Sequence, residues 1–177
     1  GADLVIGTDP DCDRMGVAVR DQSGKLVLLT GNQTGSLMAW YRVTTHFHLG
    51  LLDNTNKSRA VLVKTFVTSG LQDEIARRNG LPVTNTLTGF KWIGGKQLKY
   101  ERMLPPDIQA RYRTLSVADA RAAHLQHGRY YVFGGEESYG YLGADFVRDK
   151  DGNMAVLMFV ELAALAASQG RTVAALL

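Results

Sequence analysis

The chain has 177 residues, 45% of them apolar, with a formal net charge of +3 and a pI near 9.1. That is enough chain for the core of one full domain, and its basic residues are scattered rather than massed, which excludes a dense nucleic-acid-binding surface but suits small anionic ligands. Cys12 is the only cysteine, so no internal disulfide forms and a reducing, cytoplasmic setting is expected. The most apolar run, Met154 to Ala167, is shorter than a bilayer-spanning helix and carries Glu161, so neither a membrane segment nor a signal peptide is read.

Along the chain, Leu4–Thr8 and Gly16–Arg20 predict two short strands around the run Thr8-Asp9-Pro10-Asp11-Cys12-Asp13-Arg14. If the backbone stays extended past the first strand, alternate residues point the same way. Asp9, Asp11 and Asp13 then converge, and three like charges at one point need a counter-charge. A hard divalent cation with oxygen ligands supplies it, and Mg²⁺ suits a small site that also keeps a substrate phosphate. Arg14 suits a bidentate grip on that phosphate. Cys12 reads as a spacer, because neighbouring carboxylates disfavour its thiolate. An EF-hand loop needs Gly and Glu where Arg14 and Arg20 stand, so that motif fails. A haloacid-dehalogenase-like phosphatase, with Asp9 as nucleophile, stays open as an alternative. So does a non-catalytic phosphosugar-binding module.

Lys25–Thr30 predicts a strand, and Asn32 or Thr34 a cap for a helix running to about Leu49. Ala60–Phe66 is β-branched without clean alternation, as a strand buried on both faces requires. Ser69 caps a helix over about Leu71–Arg78, closed by Gly80. Pro82–Leu87 is a further strand and Trp92–Arg102 a helix, interrupted by Pro105-Pro106; residues 107–127 are polar and helical in part. Gly89 to Lys96 resembles a phosphate loop but has one residue too many before its Gly-Lys pair and lacks the Ser or Thr after it.

Arg129–Phe133 predicts a strand that feeds the glycine-rich stretch Gly134–Gly143. A nucleophile elbow centred on Ser138 needs Gly where Glu136 stands, and all four histidines precede Ser138, so a hydrolase triad is rejected. Two readings of Glu136 and Ser138 stand side by side: a carboxylate and a hydroxyl that bind sugar hydroxyls from one side of an extended loop, or a structural Glu at a strand end. Lys150 lies in a charged run where Asp149 or Asp151 can cap the next helix. That helix, ended by Gly170, reads as buried on most sides. Strands alternating with helices from residue 25 onward predict an α/β domain: a mostly parallel mixed sheet in a three-layer arrangement, preceded by a short β-hairpin that carries the metal loop. Ligands of such sheets sit beyond the carboxyl ends of the strands.

Three segments together resemble the alpha-D-phosphohexomutase superfamily of phosphoglucomutases and phosphomannomutases: Thr8 to Arg14, Thr88-Gly89-Phe90-Lys91-Trp92-Ile93-Gly94, and Gly135-Glu136-Glu137-Ser138-Tyr139-Gly140-Tyr141. The resemblance implies that residues 1–23 end a second domain and that residues 24–177 form a third, of four around one cleft. A chain starting at Gly1 and stopping at Leu177 is then expected to be a fragment. None of its seven serines matches the family's phosphoserine loop. The implied chemistry interconverts hexose 1-phosphate and hexose 6-phosphate, such as glucose 1-phosphate and glucose 6-phosphate, through a phosphoserine and glucose 1,6-bisphosphate. The missing domains of the parent chain are the implied partners, and the fragment alone is expected to be inactive. By position, Asp9, Asp11 and Asp13 bind Mg²⁺, Arg14 and Lys150 act on the reacting groups, and Thr88, Gly89, Glu136 and Ser138 face the sugar. Pro10 and Cys12 stand where many members have Gly or Ala, and Tyr139 where phosphomannomutase-type members have Gly.

Overall fold

The computed structural model describes residues 1–177. Three antiparallel strands, β1 (Leu4–Thr8), β2 (Met15–Arg20) and β3 (Leu26–Leu28), form a small sheet in that order. β2 alternates strictly: Met15, Val17 and Val19 are at most 1% exposed, while Gly16, Ala18 and Arg20 face outward. The period of two lets one face of this strand enter the main core.

The larger sheet has the order β5 (Val83–Thr86), β4 (Ala60–Thr65), β6 (Tyr130–Gly135), β7 (Tyr141–Leu142). β4 runs parallel to both neighbours and β7 antiparallel to β6. Every residue of β4 is buried, as its β-branched sequence predicts. Ala60 and Leu62 pack on one side with α1 (Gly31–His48), α2 (Leu71–Asn79) and α6 (Gly152–Ser168). Val61 and Val63 pack on the other with Phe90, Ile93 and Tyr100 of α3 (Phe90–Glu101). The result is helices on both faces of one sheet. α4 (Pro106–Arg111) and α5 (Val117–His127) enclose a satellite cluster of Leu104, Tyr112 and Ala123.

Several local expectations are corrected. The cap of α1 is Thr30, not Asn32 or Thr34: its hydroxyl accepts from the Gln33 N–H, and the Gln33 side chain accepts from the Thr30 N–H. That reciprocal pair satisfies two groups that Asn32 or Thr34, further along, cannot reach. The residue that caps α2 is Gly70, with the Ser69 hydroxyl accepting from the Leu71 N–H at 3.2 Å. α6 buries one face (Ala155, Met158, Phe159, Leu162, Ala166) rather than most of its surface; Leu157 and Val160 are 62% and 45% exposed. Its composition is apolar all round, so periodicity did not separate the two faces.

His46 shows how α1 is held to β6. It is 2% exposed, with Nδ1 2.8 Å from the Arg42 carbonyl and Nε2 3.0 Å from the Tyr130 hydroxyl. A carbonyl only accepts, so Nδ1 carries the proton and Nε2 accepts from Tyr130. Burial first, then the Arg42 and Arg121 charges, push this imidazole down to about 4. Above the ordinary histidine value near 6.5 both folded and unfolded chains hold it neutral, and it contributes no pH dependence. Between about 6.5 and 4 only the unfolded chain takes the proton, so stability falls as pH falls; below about 4 both take it and the loss levels off near 3 kcal/mol. Denaturant unfolding of the chain and of His46→Gln at pH 7 and pH 5 checks this: the native chain should lose about 2 kcal/mol more than the variant over that interval.

Two adjacent glycines of α3 sort the packing. A Cβ at Gly94 would stand 2.4 Å from the Arg148 carbonyl oxygen, whereas one at Gly95 would meet nothing within 4 Å. Gly94→Ala should therefore cost about 2 kcal/mol or more by displacing the 148 segment. Gly95→Ala should raise stability by up to about 1 kcal/mol through helix propensity. Urea unfolding of the two variants reads the opposite signs directly.

Candidate functional site

The acidic loop joins two paired strands, Thr8 opposite Met15, so the chain must reverse within it. A reversing chain cannot keep the extended zigzag that the sequence reading assumed. Instead, Asp9 to Cys12 form a turn in which the Cys12 N–H donates to the Asp9 carbonyl at 3.0 Å, and Cys12 takes a left-handed φ of 56°. Asp9 Oδ1 accepts the backbone N–H groups of Asp13 and Arg14 at 3.1 and 3.0 Å. The Arg14 N–H is the main reason that the Asp9 carboxyl is held below the usual carboxylate range. This folding still gathers the carboxylates: one oxygen from each of Asp9, Asp11 and Asp13 lies within 4.8 Å of the others.

Asp13 carries the informative pair of atoms. Its Oδ2 accepts from Lys150 Nζ. Its Oδ1 is buried and accepts no hydrogen bond, a state that costs free energy unless something completes it. An orphaned carboxylate oxygen beside two further carboxylates is a donor set suited to a hard cation such as Mg²⁺. Arg14 Nη1 is 3.8 Å from Asp9 Oδ2 and Arg14 Nε 4.0 Å from Asp13 Oδ1, with half of the side chain in solvent. At those distances the guanidinium keeps most of its donors free.

Backbone contacts seam this loop to the glycine-rich one. The Met15 N–H donates to the Tyr139 carbonyl at 3.1 Å, Arg14 bridges Gly140, and the Gly152 N–H at the start of α6 donates to the Cys12 carbonyl at 2.9 Å. Residues 136–140 are a tight hairpin loop closed by the Glu136 N–H on the Gly140 carbonyl at 2.9 Å, with Tyr139 at a φ of 70°. They are not the extended loop inferred from the spacing of Glu136 and Ser138, because β7 pairs back onto β6 directly after them, Tyr141 opposite Gly135. A shallow groove of about 290 Å³ lined by Asp9, Arg14, Gly16, Leu28 and Tyr139 runs along the seam.

Glu136 is 5% exposed, and its Oε1 accepts the Gly89 N–H at 2.8 Å. It thus ties the Thr88-Gly89 loop to the hairpin, while Oε2 makes no bond within the chain. Ser138 and Thr88 are exposed and make no side-chain hydrogen bond. Sequence reasoning passed over Glu137. Its Oε2 accepts the hydroxyls of Thr65 and Thr68, both at 3.1 Å, fastening the hairpin to the end of β4. Gly31, also passed over, lets α1 start directly against the hairpin: a Cβ there would stand 1.9 Å from the Glu137 carbonyl oxygen. A double Glu and a helix-start Gly carry no signal of their own in one sequence. Lys150, which by sequence resembled a solvated cap, instead lies over the acidic loop, while Asp151 caps α6 through the Met154 N–H at 3.1 Å.

Residues 30–104 and 118–177 match the phosphoglucomutase/phosphomannomutase family, alpha/beta/alpha domain III. The chain belongs to this family. Over 170 residues it is 32% identical to a phosphoglucomutase of Staphylococcus epidermidis, covering 96% of this chain and 25% of that relative. A Staphylococcus aureus phosphoglucomutase is 31% identical over 172 residues, covering 97% of this chain and again 25% of the relative. The chain thus spans about a quarter of the length of these curated relatives. Among solved structures, a Thermus thermophilus protein assigned as a phosphomannomutase superposes with a TM-score of 0.62 at 26% identity, covering 97% of this chain and 28% of that one. The open form of a Paramecium phosphoglucomutase, parafusin, gives 0.58 at 21% identity, with coverage of 94% and 21%.

The Glu136–Gly89 link has a direct readout. Glu136→Ala should speed exchange of the Gly89 amide about 10- to 100-fold, as loss of a charge-assisted bond predicts. Glu136→Gln, which keeps an acceptor, should restore most of the protection. Unchanged exchange in the alanine variant counts against the link.

Proposed function

We propose that this chain supplies the cation-binding and sugar-binding loops of a phosphohexomutase that interconverts hexose 1-phosphate and hexose 6-phosphate. Residues 1–23 close the second domain of the parent and residues 24–177 form the third. The observation that carries this reading is the unpartnered Asp13 Oδ1, set among three converging carboxylates, directly under Lys150 and seamed to the Glu136–Gly140 hairpin.

Asp9, Asp11 and Asp13 would hold Mg²⁺, which when bound neutralises charge on the phosphoryl group being transferred. The chain's own residues do the rest. Lys150 Nζ fixes Asp13 Oδ2 and places a positive charge at the mouth of the groove, near the hydroxyl that receives or loses the phosphoryl group. Arg14, most of its donors free, grips phosphate oxygens beside Asp9 and Asp13. Glu136 Oε2 accepts from the sugar hydroxyls, the Ser138 hydroxyl donates to or accepts from them, and the Thr88–Gly89 turn closes beside them. Phosphoryl transfer depends mainly on such positioning and charge stabilisation. The phosphoserine and the grip on the second phosphate come from the parent's other domains. The family assignment leaves the phosphatase reading, with Asp9 as nucleophile, without support.

Mn²⁺ serves as a paramagnetic probe of the site. Amides of residues 9–14, 139–140 and 150 should broaden together, and Asp11→Asn should weaken binding at least about tenfold. In the parent enzyme the same substitution should lower turnover of glucose 1-phosphate by about 10²- to 10³-fold, and the 177-residue chain alone should give none. Full turnover by the chain alone, or an undiminished rate in the Asp11→Asn parent, overturns the proposal.

A further inference from the structure

A second cavity, of about 260 Å³, opens at the other end of the large sheet, between α5, the start of β6 and residues 143–146. It shares no residue with the groove. Tyr130 and Tyr131 at its wall begin β6, whose far end, about 20 Å along the strand, carries the sugar-facing hairpin.

The wall offers two chemistries. Tyr100, Tyr112, Tyr130 and Tyr131 line it, and every one of their hydroxyls is already bonded within the chain. Tyr100 meets Thr84 at 3.0 Å, Tyr130 meets His46 at 3.0 Å, Tyr131 donates to the Leu142 carbonyl at 2.9 Å, and Tyr112 meets His124 at 2.8 Å and Asp145. What they leave for an occupant is ring surface.

The second chemistry is cationic. Arg42, Arg113, Arg121 and Arg129 line the cavity against a single carboxylate, Asp145, which Arg148 already holds at 3.1 Å. Arg121 makes no hydrogen bond or ion pair within the chain. Arg42 and Arg129 each commit one N–H of five, to the Gly143 carbonyl at 2.8 Å and the Ser58 carbonyl at 2.6 Å. Three polar atoms of lining side chains are buried without a partner: Arg42 Nε, Gln97 Oε1 and His124 Nδ1. Gln97 and His124 are 1% and 5% exposed. Folded chains leave few such atoms unpaired: the Arg42 Nε donor is one that a phosphate oxygen completes, while Gln97 Oε1 and His124 Nδ1, which accept, are left to water or to a donor on the ring.

We propose that this cavity binds a small aryl phosphate: the ring lies among the tyrosines and the phosphate meets Arg121 and the free edges of Arg42 and Arg129. Guanidinium groups suit a phosphate's paired oxygens. The volume falls just under the roughly 300–1,000 Å³ of ordinary small-molecule pockets, which limits the occupant to about one ring. The site is independent of the mutase reading.

A ¹H–¹⁵N titration of the chain with phenyl phosphate tests it. Saturable shifts are expected at the amides of Ala120, Arg121 and Ala144, with a Kd of about 1 mM or tighter, and none at Asp11 or Ser138. Phenol alone and inorganic phosphate alone should each bind at least about tenfold more weakly. Arg121→Gln removes no hydrogen bond or ion pair within the chain and should weaken binding about fivefold; Ala120→Phe should fill the cavity and abolish it. Shifts confined to residues 9–14 and 136–140, no saturable shift at all, full-strength binding by either variant, or inorganic phosphate binding as tightly as phenyl phosphate each overturns the proposal.

Discussion

The seam between the two sheets governs the geometry of everything else. Met15 on Tyr139, Arg14 beside Gly140, Gly152 on the Cys12 carbonyl and Lys150 on Asp13 join segments up to about 140 residues apart in sequence. Three carboxylates repel, and a loop carrying them would spread unless its backbone were fixed on several sides. Here the backbone is fixed largely by main-chain hydrogen bonds, which do not depend on charge, and the negative charge is offset by Lys150 on Asp13 and, at 3.8 and 4.0 Å, by Arg14. The loop is thereby held in place at the cost of only Asp9 Oδ1 and Asp13 Oδ2, while Asp13 Oδ1 stays without a hydrogen bond.

The seam rests in turn on the core beneath it. Met15, Val17 and Val19 enter the same cluster as Leu62, Phe133 and the inner face of α6, so the small sheet and the large one share one apolar interior. Lys64, 4% exposed at the end of β4, donates to the Thr68 carbonyl at 3.1 Å and pairs with Asp73 at 3.0 Å. A buried ammonium needs both partners to be tolerated, and meeting them pins the loop that supplies Thr68 to Glu137. The hairpin is thus anchored from β4, from α1 through the Tyr141 hydroxyl on the Gly31 carbonyl at 2.7 Å, and from the acidic loop.

Much of this was legible in the sequence. The strands flanking the acidic loop, the doubly buried β4, the closure of α2 at Gly80 and the start of α6 at Asp151 all follow from local chemistry: β-branched runs, a glycine at the left-handed C-terminal position, an aspartate accepting from the first turn. The convergence of Asp9, Asp11 and Asp13 was expected as well, though by the wrong route. Spacing suggested a zigzag, and strand pairing imposes a turn. What stayed hidden depends on contacts distant in sequence. β7 is two residues long and exists only because β6 is beside it; Glu137 matters because Thr65 and Thr68 are there to donate; Lys150 leaves solvent because Asp13 is within reach. The outward Leu157 and Val160 were unreadable for another reason, since a helix apolar on all sides has no period to mark its buried face.

Cys12 has one more consequence. A side chain bearing a Cβ pays roughly 1–2 kcal/mol to sit in the left-handed basin, and that cost is met during folding, by the Gly152 contact and the turn it closes. The loop consequently enters any encounter with a cation already shaped, with little freedom left to surrender. A β-branched residue at this position would be pushed back toward extended backbone, and the three carboxylates would fan out with it; the identity of residue 12 therefore sets how much disorder the acidic loop must give up at capture, although its side chain contributes no ligand.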